Sequence, residues 1–284
     1  MSIQVNELTH IYNEGLPYEA HALDSVSFEV ASGGFVGIIG HTGSGKSTLI
    51  QHLNGLLKPK SGSVVINGTD ITKGNVLMRD IRRKVGLVFQ YPEYQLFEEN
   101  VYKDVAFGPL NLGLSQEETD RCVRQAINLV GLGFDEIKER SPFELSGGQK
   151  RRVAIAGVIA MKPEALILDE PTAGLDPKTH REILKMIKEI HLTYGSVIIL
   201  VSHNMTDVAK HCEKVLVLEK GRKLMYGTPK EVFSHKERLA ESGLDIPETA
   251  DFMHRLKDKG FDVRTDILDV DEAADAIIRM LKRK

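Results

Sequence analysis

An apolar run, Phe35–Ile39, leads directly into Gly40-His41-Thr42-Gly43-Ser44-Gly45-Lys46-Ser47-Thr48. Gly40–Ser47 satisfies G-x-x-x-x-G-K-[ST] at every position. The glycines let successive N–H groups turn inward around phosphate oxygens. Lys46 then reaches the β- and γ-phosphates, and the Ser47 hydroxyl suits Mg²⁺. A helix starting near Lys46 adds the positive end of its dipole. A glycine-rich turn without a ligand would need neither the strand before it nor the helix after it. The stretch therefore predicts a strand–loop–helix unit of an α/β fold that holds a polyphosphate.

Further strands follow the same logic. "ALILDE" and "SVIILVSH" are continuous apolar runs ending in polar residues, as expected for strands covered on both faces. "KVGLVFQ" reads as another, ending at Gln90. Alternating runs at Ile3–Leu8 and Val26–Val30 read as antiparallel strands around a turn-rich "YNEGLPYEAHAL", and "SGSVVING" as strand and turn. "KVLVLEKGRKLMYG" reads as a hairpin turning at Lys220–Arg222. Ser115 with Glu118 predicts a capping box for a helix through Val130, stopped by Gly131. Asp176-Pro177 opens a helix with Ile183, Met186, Ile187 and Ile190 on one face, and Gly195 follows its end.

Composition sets limits. The chain has 284 residues, enough for one large domain and a smaller piece. A net charge of −3 argues against a general nucleic-acid binder, whose affinity would rest on positive excess. Cys122 and Cys212 have no metal-site spacing and read as separate thiols of a reduced compartment. The opening "MSIQVNELTH" lacks a signal pattern, and no apolar stretch approaches the roughly 18 residues that span a bilayer. A soluble chain able to dock on a membrane protein is expected.

Two more motifs carry chemistry. Asp169 ends a buried strand, so it can lie beside the loop and hold Mg²⁺ through water. Glu170 follows at once, and a carboxylate there can polarise an attacking water. Leu145–Gln149, "LSGGQ", places a serine and two glycines at a helix start, making a second phosphate-facing end. One nucleotide does not need two such ends from one chain, so the second suits a partner's nucleotide.

With these motifs the sequence resembles the ATP-binding cassette (ABC) ATPases over nearly all of Ile3–Pro229. The resemblance implies a P-loop NTPase with a RecA-like parallel-sheet core, an antiparallel β subdomain and a helical signature subdomain over roughly 91–160. It implies head-to-tail pairing of two cassettes, with ATP and Mg²⁺ held between one phosphate loop and the opposite Ser146, Gly147, Gly148 and Gln149. By the same resemblance Gln90 contacts Mg²⁺ and water, Asp176 communicates across the dimer, His203 contacts the γ-phosphate, and Tyr12 stacks on adenine, with Tyr18 as the other candidate.

The segment "FQYPEYQLFEENVYKDVAFGPLNLGL" resembles the ATPases of energy-coupling factor transporters, importers of vitamins and transition-metal ions. Its "YPEYQLFEENVYKDVAFGP" version is similar to the second of two paralogous ATPases. That implies a heterodimer with the paralogue, or a pair of identical copies. It also implies a transmembrane coupling protein, substrate-binding membrane subunits and a place at the cytoplasmic face of the membrane. Tyr91, Tyr94, Leu96 and Phe97 are the candidate docking residues. The other readings are an ATPase of another ABC importer, or a soluble ABC ATPase acting on nucleic acid or ribosomes. The latter conflicts with the single cassette and the absence of heptads between Gln90 and Leu145.

Residues 230–284 read as a C-terminal helical extension for dimerisation. Pro247 opens an amphipathic helix with Ala250, Met253 and Leu256, ended by Gly260. A last helix places Val270, Ala274, Ile277, Ile278 and Leu281 on one face. The basic end, Lys282-Arg283-Lys284, reads as a solvated helix terminus.

Overall fold

The computed structural model describes residues 1–74 and 76–282. Of the basic end, Arg283 and Lys284 lie outside the described residues.

Two sheets organise the chain. β1 (Ile3–Tyr12), β2 (Ala20–Val30), β4 (Ser61–Ile66) and β5 (Thr69–Asp70) form an antiparallel sheet in the order β2-β1-β4-β5. The second sheet has the order β10-β9-β3-β8-β7-β6. It contains β3 (Phe35–Ile39), β6 (Val85–Val88), β7 (Ala165–Asp169), β8 (Val197–Val201), β9 (Lys214–Glu219) and β10 (Arg222–Gly227). Neighbours from β9 through β6 are parallel, and β10 returns as a hairpin on β9.

The apolar strands are covered on both faces because successive side chains point to opposite sides. Phe35, Ile39, Leu166, Leu168, Ile198 and Leu200 enter one core. Val36, Ile38, Ala165, Ile167, Val197 and Ile199 enter the other, shared with the antiparallel sheet. The helices are α1 (Lys46–Leu53), α2 (Met78–Lys84), α3 (Val101–Asn111), α4 (Gln116–Leu129), α5 (Phe134–Ile137) and α6 (Gly147–Ile159). They continue with α7 (Pro177–Tyr194), α8 (Met205–His211), α9 (Pro229–Phe233), α10 (Lys236–Glu241), α11 (Glu248–Asp258) and α12 (Val270–Lys282).

The local signals act as their chemistry requires. Ser115 and Glu118 cap α4 reciprocally. Asp176 caps α7, Pro177 occupies its first turn, and Gly195 ends it in the left-handed region. Both cysteines are free and buried, and burial raises the Cys212 thiol pKa.

Two expectations need correction, and one helix was not anticipated. β2 begins at Ala20, not Val26, because Ala20, His21 and Leu23 pair with Tyr12, Ile11 and His10. The turn is thus confined to residues 13–19. β6 ends at Val88, so Gln90 stands two residues beyond its strand. Helix α3 went unread because Gly108 and Pro109 lie inside it and break the apolar period.

The tail divides. Val232, Phe233, Leu239, Leu244, Ile246 and Ala250 join the main core, whereas Met253, Ile267 and Ala273 form a separate small one. Among the described residues no helix is long and apolar enough to cross a membrane.

Candidate functional site: a phosphate cleft

Parallel strands bring their carboxyl ends to one sheet edge, where ligands of such sheets bind. β3, β8, β7 and β6 are consecutive neighbours. Their ends release, in that order, the glycine loop, His203, Asp169 with Glu170, and Gln90. Residues far apart in sequence thus line one cleft of about 740 Å³. Its walls include Gly40, His41, Thr42, Gly43, Gly45, Lys46, Ser47, Thr48, Gln90, Asp169, Glu170 and His203.

The loop is shaped for close approach. Gly40 and Gly45 have φ of 156° and 100°. A Cβ would lie 2.4 Å from the Leu218 carbonyl oxygen at the first and 2.4 Å from that of Ala22 at the second. Only glycine fits there. Helix α1 follows an N-cap, Gly45, that offers no side-chain cap, so its first N–H groups remain for a ligand. Ser44 Oγ is buried without a hydrogen-bond partner. Lys46 Nζ donates to the Gly40 and His41 carbonyls at 2.6 and 2.9 Å, bridging the loop. Burial lowers the Lys46 pKa, while Glu170 and Asp169 oppose that shift.

The carboxylates stand beside it. Ser47 Oγ donates to Asp169 Oδ2 at 3.4 Å, bringing two oxygen ligands together from α1 and β7. Burial raises the Asp169 pKa, with a further contribution from the Glu170 charge. A cation would relieve this. Glu170 has a left-handed backbone, φ 51°, and its Oε2 lies 2.5 Å from His203 Nδ1. An uncapped helix start, an orphan hydroxyl, a bridging lysine and paired hydroxyl and carboxylate oxygens fit a triphosphate with Mg²⁺.

Of the two tyrosines, Tyr12 lines the cleft and its hydroxyl lies 3.3 Å from Thr48 Oγ1. Tyr18 is 67% exposed and is not part of the cleft wall. Ala20, His21, Ala22, Met205 and Gly243–Asp245 also line it and were not anticipated. The first three come with the earlier start of β2, but no sequence pattern pointed to Gly243–Asp245.

The signature residues lie elsewhere. Ser146, Gly147, Gly148, Gln149 and Asp176 are outside the cleft. Ser146 and Gln149 form a capping box on α6. A Cβ on Gly148 would lie 2.9 Å from Thr179 Cγ2, and Thr179 Oγ1 donates to Asp176 Oδ2 at 2.6 Å. The signature helix and the start of α7 therefore meet at a second locus.

Known proteins share this sequence and fold. The sequence profile of the ABC transporter family matches residues 23–173. A protein of Clostridium tetani named energy-coupling factor transporter ATP-binding protein EcfA2 is 54% identical over 284 residues, covering 100% of this chain and 99% of that one. A protein of the same name from Clostridioides difficile is 56% identical over 283 residues, covering 99% and 98%. Among solved structures, cbiO1 of Clostridium perfringens, described as part of the ABC transporter complex cbiONQ, superposes with a TM-score of 0.74. It is 40% identical, over 84% of this chain and 93% of that one. The cassette MJ0796, in a dimeric post-hydrolysis state with ADP and Pi, gives 0.70 at 28% identity over 80% and 98%. The chain belongs to the ATP-binding subunits of ABC transporters, in their energy-coupling factor branch.

Proposed function

We propose that the chain is the ATP-hydrolysing motor of an energy-coupling factor importer, completing its catalytic sites only with a second cassette. One observation carries the reading: the strand ends of one chain wall the phosphate cleft, while the exposed helix start at Ser146 and Gly147 lies outside it. That division suits a head-to-tail pair with a paralogous ATPase or a second copy.

In this reading Lys46 and the loop N–H groups hold the phosphates, and Tyr12 packs on the adenine. Ser47, Asp169 and Gln90 hold Mg²⁺, which when bound offsets charge on the phosphate oxygens. Glu170 takes a proton from the attacking water, with His203 orienting its carboxylate across their 2.5 Å contact. Catalysis is mainly positioning and charge stabilisation. Ser146, Gly147, Gly148 and Gln149 face the partner's nucleotide, and Asp176 sits where the two cassettes communicate.

The membrane connection rests on the loop after Gln90. Leu96 is buried, but Tyr91, Tyr94 and Phe97 are exposed, Tyr94 by 84%. Phe97 meets Phe107 edge-on at 5.0 Å, which extends the apolar surface onto α3. Such surfaces mark partner sites. A transmembrane coupling protein docks there at the cytoplasmic face, and separate membrane subunits select the vitamin or metal ion. Affinity purification from membranes, with mass spectrometry of the co-purifying chains, tests this. A second cassette and integral membrane proteins are expected; ribosomes or nucleic acid in their place would sink the proposal.

A further inference from the structure

Arg151 lies on α6, beyond the signature, and is 1% exposed. Its Nε and Nη2 donate to Glu93 Oε2 and Oε1 at 3.0 and 2.6 Å. Its Nη1 donates to the carbonyls of Pro171 and Ala173 at 3.1 and 2.7 Å. One guanidinium therefore binds three segments: the loop after Gln90, the signature helix, and the turn that follows Glu170. Tyr91 reinforces the junction. Its ring lies 5.9 Å from the Arg151 guanidinium carbon, and its Cε1 is 3.7 Å from where a Cβ on Gly174 would stand.

The turn held by Arg151 is the one that aims Glu170. Ala173 N–H donates to the Glu170 carbonyl at 3.1 Å, and Glu170 N–H donates to the Val201 carbonyl at 3.0 Å. The carbonyls gripped by Arg151 thus belong to residues inside or closing the same turn. A buried guanidinium is costly without its carboxylate. Its planar fork fixes direction as well as distance. A shift of Glu93 must therefore be followed by Arg151 or leave a buried charge unpaired.

We propose that Arg151 is a positioning residue that transmits the state of the loop carrying Glu93 to Glu170, by holding the Pro171–Ala173 turn and the signature helix to that loop as one body. The proposal rests on the functional reading above, in which Glu170 activates water and the loop meets a membrane partner. Engagement of the loop then sets both the partner-facing helix start and the aim of the carboxylate.

The test uses the complex co-purified from membranes, with Arg151→Lys, Glu93→Gln and the double variant, and Glu170→Gln in parallel. Lysine keeps the charge but cannot span the carboxylate and both carbonyls. Each single variant should lower kcat about tenfold, with KM for MgATP within about twofold of wild type. The double variant should be no slower than either single one, because the residues act as a unit. Glu93→Gln should also speed amide exchange at residues 171–176, across the junction. Wild-type kcat in Arg151→Lys, additive losses, or losses that track a raised KM and lowered Tm would each overturn the proposal. If Glu170→Gln is inactive while Arg151→Lys is normal, only this inference falls. If Glu170→Gln retains turnover, the functional reading falls and takes this one with it.

Discussion

Helices α1 and α6 both start beside glycines, Gly45 before the first and Gly147 opening the second, yet their starts differ in what surrounds them. At α1 the start is uncapped, a lysine bridges the loop, and a carboxylate at the end of β7 stands 3.4 Å from the Ser47 hydroxyl. At α6 Ser146 and Gln149 satisfy each other's backbone, Ser146 and Gly147 are exposed, and the flanking contact is Thr179. The first start is a site in one chain. The second has the local form of an ordinary capped helix, as at Ser115 on α4. A glycine-rich helix start therefore does not by itself make a phosphate site; an uncapped start and the strand ends that wall it do.

The largest expected effect breaks the first region. Glu170→Gln should lower turnover of the assembled complex about 10³-fold while MgATP binding persists, since only the proton acceptor is lost. Single-turnover and binding measurements on the same preparation separate the two. Ser146→Arg should attack the second region alone. Hydrolysis in the partner's site should fall about 10²-fold, the scale of losing a preorganised anion donor. ATP affinity of the isolated chain should stay near wild type, and heterodimers with one competent site reveal which site suffers.

Lys46→Ala should weaken ATP binding by about 2 kcal/mol, the scale of a charge-assisted hydrogen bond, or roughly thirtyfold. Calorimetric titration measures it, and unchanged affinity would remove Lys46 from the phosphates. Tyr94→Asp lies apart from both helix starts. It should cost about 2 kcal/mol of assembly with the membrane protein, as for a central interface aromatic, and leave nucleotide affinity untouched. Pull-down beside nucleotide titration checks both halves.

The smallest effect concerns stability. Asp169 has its pKa raised by burial and then by Glu170, so its ionised form is disfavoured in the nucleotide-free fold. That cost is present above the raised pKa and vanishes as pH falls below the ordinary 3.8. Asp169→Asn should therefore raise Tm of the nucleotide-free protein by about 2 °C at pH 7, with no gain near pH 3. The same variant should gain less from added MgATP, because the metal ligand is gone. Melting curves across pH, with and without MgATP, test both signs.

Much of the cleft was legible because its residues follow buried strands at fixed offsets. Phe35–Ile39, "ALILD" and "VIILV" announce themselves by unbroken apolarity, and the residues after them are delivered to one edge by parallel pairing. Glu93 and Arg151 were not legible. They are 58 residues apart, and Arg151 stands between Lys150 and Arg152 with nothing local to show which basic side chain turns inward. The tail's contribution was hidden for a similar reason. Leu244 and Ile246 lie in a short connection without a helical period, and only tertiary packing assigns them to the main core.

That packing governs where the chain can be cut. A chain ended at residue 229, where the helical tail begins, would lose Val232, Phe233, Leu239, Leu244, Ile246 and Ala250 and leave their apolar counterparts wet. It would also remove Gly243–Asp245 from the wall of the phosphate cleft. A cut beyond Ala250 gives up the small cluster of Met253, Ile267 and Ala273, the partly buried Leu268 on the main core, and the Lys230–Glu272 and Lys236–Asp251 ion pairs. Anyone exchanging tails between related subunits should place the junction within α11, so that the nucleotide keeps its own wall and only the outer helices change hands.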